Sequence, residues 1–571
     1  METRNCQNCK KDFTIESEDF SFYEKIKVPP PTWCPECRMI RRFHFRNEGM
    51  LFRRTDGNTG KEIFSGISPD AKVVTYNNDF WFGDKWDPID FGQDYDFNRP
   101  FFEQFRELLS RSPIPARSVY NMENSDYCNE ASFSKNCYLC FNTDYIENSA
   151  YLRKIAYIKD SFDIYEARED ELCYECVAVD KSYQTFFSFD CESCVDVWFS
   201  KGLRGCTNCF GCVNLTNKSN YFFNEPCSKE EYEKKVSEYI FGSYANQVKL
   251  MEVVKDFWNK FPNKYYHGLR TLNSTGERLF DVKNVKNSYS VREGENLRYC
   301  QDMQPKASNS YDYTVWGDRA ENMYECVTCG LGCYDLQFCF NSWGDIKETE
   351  YSGYCFGSSN LFGCVGLSKK RFCILNKQYS EEEYNLMIEK IKHHMDDMPY
   401  VDEKGRVYKY GEFFPFDISP VAYNESMAND FFPSSAEQSK EKGYIWREIH
   451  LRNYETDLKP EQIPDNIKDT DESIIEKSLG CLACQRPFKI IPMELQFYKR
   501  FNLPLPRKCH NCRFTDRFKL VNPPKLWHRQ CMCEKDHNNH EGKCQVEFET
   551  SYAPDRPEIV YCEKCYQQEV Y

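Results

Sequence analysis

Pairs of cysteines with the same spacing stand near both ends of the chain. Each of two modules contains Cys-x-x-Cys, a segment of 24 residues and a second Cys-x-x-Cys. Two residues between cysteines allow a tight turn to direct both sulfurs at one zinc ion, at about 2.3 Å from each, and two such turns complete a tetrahedron. Because the protein then fills all four positions, the spacing predicts structural zinc sites. The expected ligands are Cys6, Cys9, Cys34 and Cys37 in the first module, and Cys481, Cys484, Cys509 and Cys512 in the second.

The segments that follow the second cysteine pair, 38–43 and 513–518, have helical periodicity and contain no helix breaker. A ribbon whose last ligands begin a helix is the arrangement called a treble clef. The run from Phe22-Tyr23 through Pro31 to Cys34-x-x-Cys37-Arg38 resembles small bacterial zinc-ribbon families, and Phe497-Tyr498 matches it in the second module. This resemblance covers the two modules and implies a type of domain, not a function.

A third metal site is expected in the terminal segment. Cys544 and the pair Cys562-x-x-Cys565 lie on either side of a run, 556–561, that resembles bacterial zinc ribbons ending in Arg-Pro, Val-Tyr and Cys-x-x-Cys. In those ribbons the first two ligands form a tight pair, whereas here ten residues separate Cys533 from Cys544. A cysteine is favoured as the fourth ligand, since surface histidines often bind no metal, and a second ion in the loop is an alternative. The candidates for the fourth ligand are Cys531, Cys533, His537 and His540.

The chain of 571 residues contains 32 cysteines, which in a small secreted protein would suggest a disulfide framework. Its start, however, lacks the basic-then-apolar pattern of a signal peptide, and no run of 18 apolar residues could span a membrane. Paired cysteines in such a chain are more typical of metal ligands. We therefore expect a cytoplasmic protein without a membrane segment that carries about three zinc ions.

A period of twelve residues runs through the middle of the chain. Small residues recur at this interval from Ser125, and an aromatic residue follows each within two positions. A second block has tyrosines ten to thirteen residues apart, and each block ends in Ser followed three residues later by Glu, a helix capping box. The pattern predicts an internal duplication in which each half is a strand-rich, β-helix-like solenoid followed by helix, with irregular sheet as the alternative. The repeated positions are Ser125, Cys137, Ser149, Ser161 and Cys173, then Tyr289, Tyr299, Tyr311, Tyr324 and Tyr334.

Further cysteine pairs lie inside these repeat blocks. Their separations follow the repeat rather than a metal-binding loop, so a ladder of small buried thiols is favoured. Additional zinc or a cysteine-ligated cluster is the alternative. The pairs are Cys137/Cys140, Cys173/Cys176, Cys191/Cys194, Cys206/Cys209/Cys212 and Cys326/Cys329/Cys333.

Together these patterns predict an α+β, multidomain protein with small zinc ribbons or treble clefs at both ends of a duplicated solenoid with short helices. The order of segments resembles a group of large, uncharacterised zinc-ribbon proteins of candidate-phylum bacteria, and this resemblance implies no activity. The expected segments are 1–54 (zinc ribbon), 55–123 (aromatic-acidic connection), 124–262 (repeat block 1 with helices), 263–400 (repeat block 2 with helix), 401–476 (extended acidic segment and linker), 477–526 (zinc ribbon) and 527–571 (terminal zinc ribbon).

The formal net charge of −15 argues against a protein that coats nucleic acid, but the charge is unevenly distributed. The segment 478–530 is rich in Lys and Arg, and several Arg follow the second cysteine pair of the first module. These side chains could contact RNA phosphates, and binding would then weaken with salt. Equally, they could hold the acidic body of the chain itself. The candidate nucleic-acid-binding residues are Arg38, Arg41, Arg42, Arg507, Lys508, Arg513, Arg517 and Lys519.

The motifs of common enzymes are absent: the sequence has no phosphate-binding P-loop, no dinucleotide fingerprint, no Gly-x-Ser-x-Gly elbow and no His-Glu-x-x-His helix. We therefore expect a non-enzymatic zinc-binding protein, with no catalytic residues, that acts as an adaptor docking on RNA or a ribonucleoprotein through its basic zinc modules. One alternative is a protein-interaction scaffold that binds no nucleic acid. Another is a solenoid-based enzyme or a thiol-redox or metal-handling protein.

Overall fold

A computed structural model describes residues 1–239, 242–304, 306–448 and 455–570 of the chain. The chain divides into two compact units, each built from segments that are distant in sequence. Unit 1 comprises Met1–Arg117, Tyr266–Glu448 and Pro523–Leu526, and unit 2 comprises Ser118–Tyr265, Ile449–Asn522 and Trp527–Tyr571. The first cysteine module therefore shares a unit with the second repeat block, whereas the second and terminal modules share a unit with the first repeat block.

The first repeat block forms a sheet of twelve strands in unit 2, and its strands are parallel except for the final pair. In its regular part, residues that face each other on neighbouring strands are twelve positions apart in sequence. Ala150 lies opposite Phe162, for example, and Phe162 lies opposite Tyr174. The interval seen in the sequence is therefore also the register of the sheet.

The backbone of this block adopts a left-handed conformation at every third residue. Asn142, Tyr145, Asn148, Tyr151 and Lys154, for instance, all have φ between 48° and 62°. Such a conformation costs a non-glycine residue on the order of 1 kcal/mol, because Cβ approaches the carbonyl oxygen. The parallel hydrogen bonds and the side-chain ladders offset this cost, and the chain changes direction at short intervals and returns after twelve residues.

Small polar side chains satisfy backbone groups inside the first repeat block. The Ser161 hydroxyl accepts a hydrogen bond from the backbone amide of Cys173 at 3.0 Å, and Ser149 accepts one from Ser161 at 3.1 Å. The Cys176 thiol donates to the carbonyl oxygens of Tyr174 and Thr185 at 3.3 and 3.2 Å. Burial raises the pKa of that thiol to about 12, so it stays protonated and behaves as a small core side chain.

The second repeat block forms two mainly parallel sheets in unit 1, of nine and five strands. Its register is less uniform than that of the first block: Lys347 lies opposite Ser359 at an interval of twelve, whereas Arg298 lies opposite Tyr311 at thirteen. The helix Glu381–Asp397 follows the block, and its predicted capping box is confirmed, because Ser380 and Glu383 exchange hydrogen bonds with each other's backbone amide.

The helices agree with the sequence prediction where it was specific. The segments 38–43 and 513–518 are helical, and Phe101–Arg111 forms a further helix. The segment 401–476, expected to be an extended acidic segment and linker, buries Ile467 and Ile474 near its end. Its acidic composition gave no sign of these two buried apolar residues. Among the residues that the structure describes, no helix is both long and apolar enough to cross a lipid bilayer.

The α-helices in the described part of the chain are short. In unit 1 they are Ser17–Lys25, Pro35–Phe43, Asn78–Trp81, Phe101–Arg111, Glu381–Asp397, Met427–Phe431 and Ala436–Glu441. In unit 2 they are Lys229–Tyr239, Tyr244–Trp258, Pro492–Arg500, His510–Phe518 and Glu563–Val570.

The strands are numerous and mostly four residues long or more. In unit 1 they are Glu2–Asn5, Asp12–Ile15, Phe52–Thr55, Glu62–Ser65, Thr75–Tyr76, Ile114–Pro115, Gly268–Leu272, Gly276–Lys286, Ser288–Arg292, Glu295–Arg298, Gln301–Met303, Ser308–Tyr311, Tyr313–Thr314, Cys326–Gly330, Tyr334–Gln337, Phe340–Trp343, Lys347–Glu350, Ser359–Phe362, Arg371–Ile374, Lys377–Gln378, Tyr400–Val401 and Val407–Tyr408. In unit 2 they are Val119–Glu123, Tyr127–Lys135, Tyr138–Glu147, Ala150–Lys159, Phe162–Glu171, Tyr174–Asp180, Tyr183–Phe186, Phe189–Glu192, Val195–Trp198, Thr207–Phe210, Ser219–Phe222, Glu225–Pro226, Asn263–Lys264, Leu479–Gly480, Pro487–Phe488, Trp527–Gln530, Glu547–Thr550 and Val560–Tyr561.

Replacement of Ser161 by alanine should destabilise unit 2, because it leaves the buried amide of Cys173 without its acceptor. Loss of a buried hydrogen-bond partner costs about 1–3 kcal/mol. The free energy of unfolding, measured by denaturant titration of the full chain, would show the change. Ser237→Ala, on the exposed face of the helix Lys229–Tyr239, is the control and should change stability by less than about 0.5 kcal/mol. Equal effects of the two substitutions would contradict the ladder.

Candidate metal centres

The first two cysteine modules each bring four sulfurs together as the sequence predicts. Within each group all four Sγ atoms lie within 4.8 Å of one another. The Cys9 and Cys34 sulfurs are 3.7 Å apart, and the Cys484 and Cys509 sulfurs are 3.8 Å apart. A tetrahedron with metal–sulfur distances of about 2.3 Å has edges of about 3.8 Å. Both groups therefore have the geometry of a four-thiolate metal site.

The local backbone of the two modules is alike. A hairpin, Glu2–Asn5 with Asp12–Ile15, carries the first pair of module 1, and the helix Pro35–Phe43 begins directly after Cys34. The amide of Cys34 donates to the Cys6 sulfur at 3.2 Å, and the amide of Cys509 donates to the Cys481 sulfur at the same distance. An amide directed at a sulfur favours its thiolate form, which is the form that binds metal.

In the second module the backbone favours ionisation of the Cys481 thiol, whereas burial raises the pKa of the Cys509 thiol to about 11. Burial opposes ionisation of the Cys481 thiol, but the backbone amides of Cys484, Cys509 and Ala483 lower its pKa to about 7. A thiol with such a pKa gives up its proton to an incoming metal ion at neutral pH. In the first module, hydrogen bonds with the side chains of Cys34 and Cys37 lower the pKa of the Cys6 thiol.

The arginines that follow the second cysteine pair of module 1 are buried in ion pairs with repeat block 2. Arg38 makes two hydrogen bonds to the Asp312 carboxylate, at 3.0 and 2.9 Å. Arg42 contacts both Asp312 and Glu325, at 3.0 and 2.9 Å. Arg41 contacts Glu325 at 2.6 Å and a second acid, Glu412, at 3.2 Å. We call these three arginines and three acids the unit 1 clamp.

A matching set of ion pairs holds module 2 against repeat block 1. Arg513 contacts Asp163 at 2.9 Å and Glu494 at 3.2 Å, and Arg517 contacts Asp163 at 2.8 Å and Glu175 at 2.7 Å. Both guanidinium groups are only 5 % exposed, and Asp163 is fully buried. We call these residues the unit 2 clamp.

The spacing of the clamps has a geometric cause. Asp163 and Glu175 occupy facing positions on adjacent strands, as the register of the neighbouring pairs Phe162–Tyr174 and Ile164–Cys176 shows. Adjacent strands are about 4.8 Å apart. Arg513 and Arg517 are four residues apart on one helix, and residues with this separation have Cβ atoms about 5–6 Å apart. The two acids therefore lie within reach of the two arginines: Asp163 contacts both of them, and Glu175 contacts Arg517 at 2.7 Å.

In the unit 2 clamp, two arginines face three carboxyl groups. Burial by itself would raise the pKa of the Asp163 carboxyl, but Arg513 and Arg517 more than offset this and hold the pKa below its usual value. Burial raises the pKa of Glu494, although the charge of Arg513 opposes the shift. The stabilisation from Asp163 is therefore present at neutral pH and is lost as pH falls through its lowered pKa.

The acidic half of the clamps was missed by the sequence analysis. Asp163, Glu175, Asp312 and Glu325 all have left-handed backbone conformations, with φ between 47° and 59°. Their separations, twelve and thirteen residues, follow the repeat. The available signal was therefore an acidic residue at a repeated position where other repeats have a small or aromatic residue.

The positions of the candidate nucleic-acid-binding residues do not support contacts with RNA. Arg38, Arg41 and Arg42 are at most 1 % exposed, and Arg513 and Arg517 are also buried. Arg507 is buried as well and donates to the carbonyl oxygen of Pro464 at 2.9 Å. Lys508 and Lys519 both pair with Asp516 at the surface, at 2.6 and 2.9 Å. The arginines thus hold the acidic residues of the chain itself, which was the alternative interpretation of the basic charge.

The terminal module brings together more donors than one ion needs. Cys531, Cys544, Cys562 and Cys565 form one group, so Cys531 occupies the fourth position that the sequence left open. Cys533 lies in a second group, with His537, His540 and Cys565. The hairpin Trp527–Gln530 with Glu547–Thr550 and the helix Glu563–Val570 position these residues. Among the described residues, all groups with metal-binding geometry lie in the three cysteine modules and none lies within the repeat blocks.

Comparisons with known proteins do not identify the chain. No protein-family model and no curated protein matches it. Among solved structures, a protein of Desulfovibrio desulfuricans G20 provisionally described as an acetyltransferase is similar over 51% of this chain and 86% of its own, at 12% identity and a TM-score of 0.10. A likeness at this level carries no argument about fold or activity. The resemblance to candidate-phylum zinc-ribbon proteins stays an expectation from sequence.

Replacement of Asp163 by asparagine should strongly destabilise unit 2, because it removes the charge of the buried carboxylate that both Arg513 and Arg517 contact. Breaking a buried ion pair on one side costs about 3–5 kcal/mol. Denaturant unfolding of the metal-loaded protein measures the loss. The control is Glu147→Gln, which removes a surface pair with Lys159 and should cost less than about 1 kcal/mol. A loss of similar size in the two variants would contradict the clamp.

Proposed function

We propose that this protein is a zinc-dependent structural scaffold without catalytic activity, in which small metal modules fasten onto stacks of parallel strands. The observation that carries the proposal is the burial of the arginines after each second cysteine pair in the two clamps. A docking module would keep such residues at its surface. Here these arginines form ion pairs with acidic residues of the chain itself.

Zinc is the metal that best fits the donors. Thiolate sulfur is a soft ligand, and four thiolates at tetrahedral spacing are typical of structural zinc sites. The hairpin, the tight first turn and the helix that begins at the second cysteine pair support a treble-clef assignment for modules 1 and 2. The twelve-residue register supports a β-solenoid assignment for repeat block 1. A four-thiolate site leaves no open position for substrate, which favours a structural role over catalysis.

Another protein is the class of partner that we favour for this scaffold. A chain with a net charge of −15 whose clustered arginines are paired internally repels a phosphate backbone rather than attracting it. Adaptor binding to RNA is accordingly the less supported of the two functions expected from the sequence.

Metal and clamp should stabilise unit 2 as one cooperative element. Cys484→Ser removes a ligand, so the module loses its ion and can no longer hold Arg513 and Arg517 against Asp163. We expect the effects of Cys484→Ser and Asp163→Asn on unfolding free energy to be clearly less than additive in the double variant, because contacts of one network couple. Zinc content, measured by plasma mass spectrometry, should fall by one ion in Cys484→Ser. Cys484→Ser combined with Glu147→Gln is the control and should be additive. Additivity in both pairs would contradict the scaffold proposal.

The purified protein should not bind single-stranded RNA at physiological salt. Fluorescence anisotropy with a labelled oligonucleotide, measured from low to high salt, tests this expectation, since phosphate contacts would appear as a steep salt dependence. Lys519→Glu, at an exposed position beside Asp516, is the matched variant. Salt-dependent binding that this substitution abolishes would overturn the scaffold proposal in favour of an RNA adaptor.

A further inference from the structure

The terminal module holds two groups of potential ligands that share one sulfur. Cys565 belongs to the all-cysteine group with Cys531, Cys544 and Cys562, and also to the group with Cys533, His537 and His540. In each group the donor atoms lie within 4.8 Å of one another. We propose that this module binds two zinc ions bridged by the Cys565 thiolate.

The histidines are arranged as metal ligands rather than as a surface hairpin. The Nδ1 atom of His540 lies 2.9 Å from the carbonyl oxygen of Gly542, so this nitrogen carries the proton and donates it. The other ring nitrogen, Nε2, is then free of hydrogen, and it faces the Cys565 sulfur at 3.1 Å. A backbone carbonyl that fixes the tautomer in this way is the usual outer partner of a metal-bound histidine.

His537 supplies an independent observation. Its side chain is only 7 % exposed, and its buried Nε2 atom makes no hydrogen bond. The nearest carboxylate oxygen, on Glu569, is 3.5 Å away. Paired backbone hydrogen bonds between residues 537 and 540, at 2.9 and 3.2 Å, hold the two rings on one side of a tight loop. A buried ring nitrogen that makes no hydrogen bond is costly, and a metal ion bound to it would remove this cost.

The charge of the module also favours a pair of ions. One zinc ion with four thiolates leaves two negative charges in a site whose cysteines are at most 4 % exposed. The second ion adds two positive charges and one thiolate, from Cys533, together with two neutral imidazoles. The complete cluster of five thiolates and two zinc ions carries one negative charge, which is less costly to bury. Each thiol releases its proton to solvent as its metal binds.

Native mass spectrometry of the full chain, loaded with zinc and freed of excess metal, counts the ions. We expect four per chain: one in each of the first two modules and two in the terminal module. Cys533→Ser and His540→Ala should each hold three. His528→Ala is the matched control, because His528 lies at the surface of the same module beside Glu547 and Glu549, and should hold four. Three ions in the unaltered protein, or the same count in His540→Ala and His528→Ala, would overturn the second site.

Cobalt substitution tests the bridge separately from the count. Two cobalt ions joined by a thiolate couple magnetically and lose paramagnetic resonance intensity. We therefore expect the fully loaded protein to give a weaker integrated signal than His540→Ala, although it holds one more cobalt ion. A signal that grows in proportion to the number of ions would overturn the bridge. The scaffold proposal does not depend on either result, since it rests on the clamps of modules 1 and 2.

Discussion

The pairing of buried arginines with buried acids is the interaction on which each unit depends. A guanidinium group removed from water costs several kcal/mol, and this cost is recovered only where carboxylates are in contact and hydrogen bonds are complete. In unit 1, Arg42 reaches Asp312 and Glu325 and also donates to Thr314 at 3.0 Å. The arrangement tolerates little displacement of the helix, so the clamp fixes where the metal module sits on the strands.

The two clamps repeat one geometric solution. A pair of arginines one helical turn apart meets a pair of acids one strand apart, because about 5–6 Å on a helix matches about 4.8 Å across a sheet. The pairs are Arg38 and Arg42 with Asp312 and Glu325, and Arg513 and Arg517 with Asp163 and Glu175. This geometry occurs in both blocks, although facing residues are thirteen positions apart at Arg298–Tyr311 in one block and twelve at Phe162–Tyr174 in the other.

Each module is too small to fold around a hydrophobic core of its own, and the metal site and the clamp have different roles in it. A bound ion would fix the two turns and the start of the helix, since a structural zinc site contributes folding energy directly. The clamp then orients that helix, whose buried residues are mostly arginine and cysteine rather than aliphatic. In the terminal module Arg556 instead pairs with its neighbour Glu558, and Cys533 and His540 enlarge the donor set. That module is tied to the rest of unit 2 by strand pairing of Val560–Tyr561 with Asn263–Lys264.

The sequence by itself determined the local features of this protein. Cys-x-x-Cys turns, the capping box at Ser380 and the helices over 38–43 and 513–518 depend on residues close together in the chain, so spacing was enough to place them. The interval of twelve residues likewise reappears as a strand register, because each turn of the chain repeats the same short pattern. Cys531 could not be separated from Cys533 as a ligand, since both stand on one short segment and only the tertiary structure places Cys531 beside Cys544 and Cys562.

Tertiary structure alone decided what the arginines contact. Arg38 and Asp312 are 274 residues apart, and Arg513 and Asp163 are 350 apart, so no local pattern links them. The sequence does not distinguish an arginine beside a zinc site that faces solvent from one that contacts a buried acid. The difference lies in which repeat block packs against which module, and the first module packs on the second block while the second module packs on the first. That packing removes the arginine side chains from water. Residues that the composition predicted to form a basic surface therefore lie in the interior of each unit.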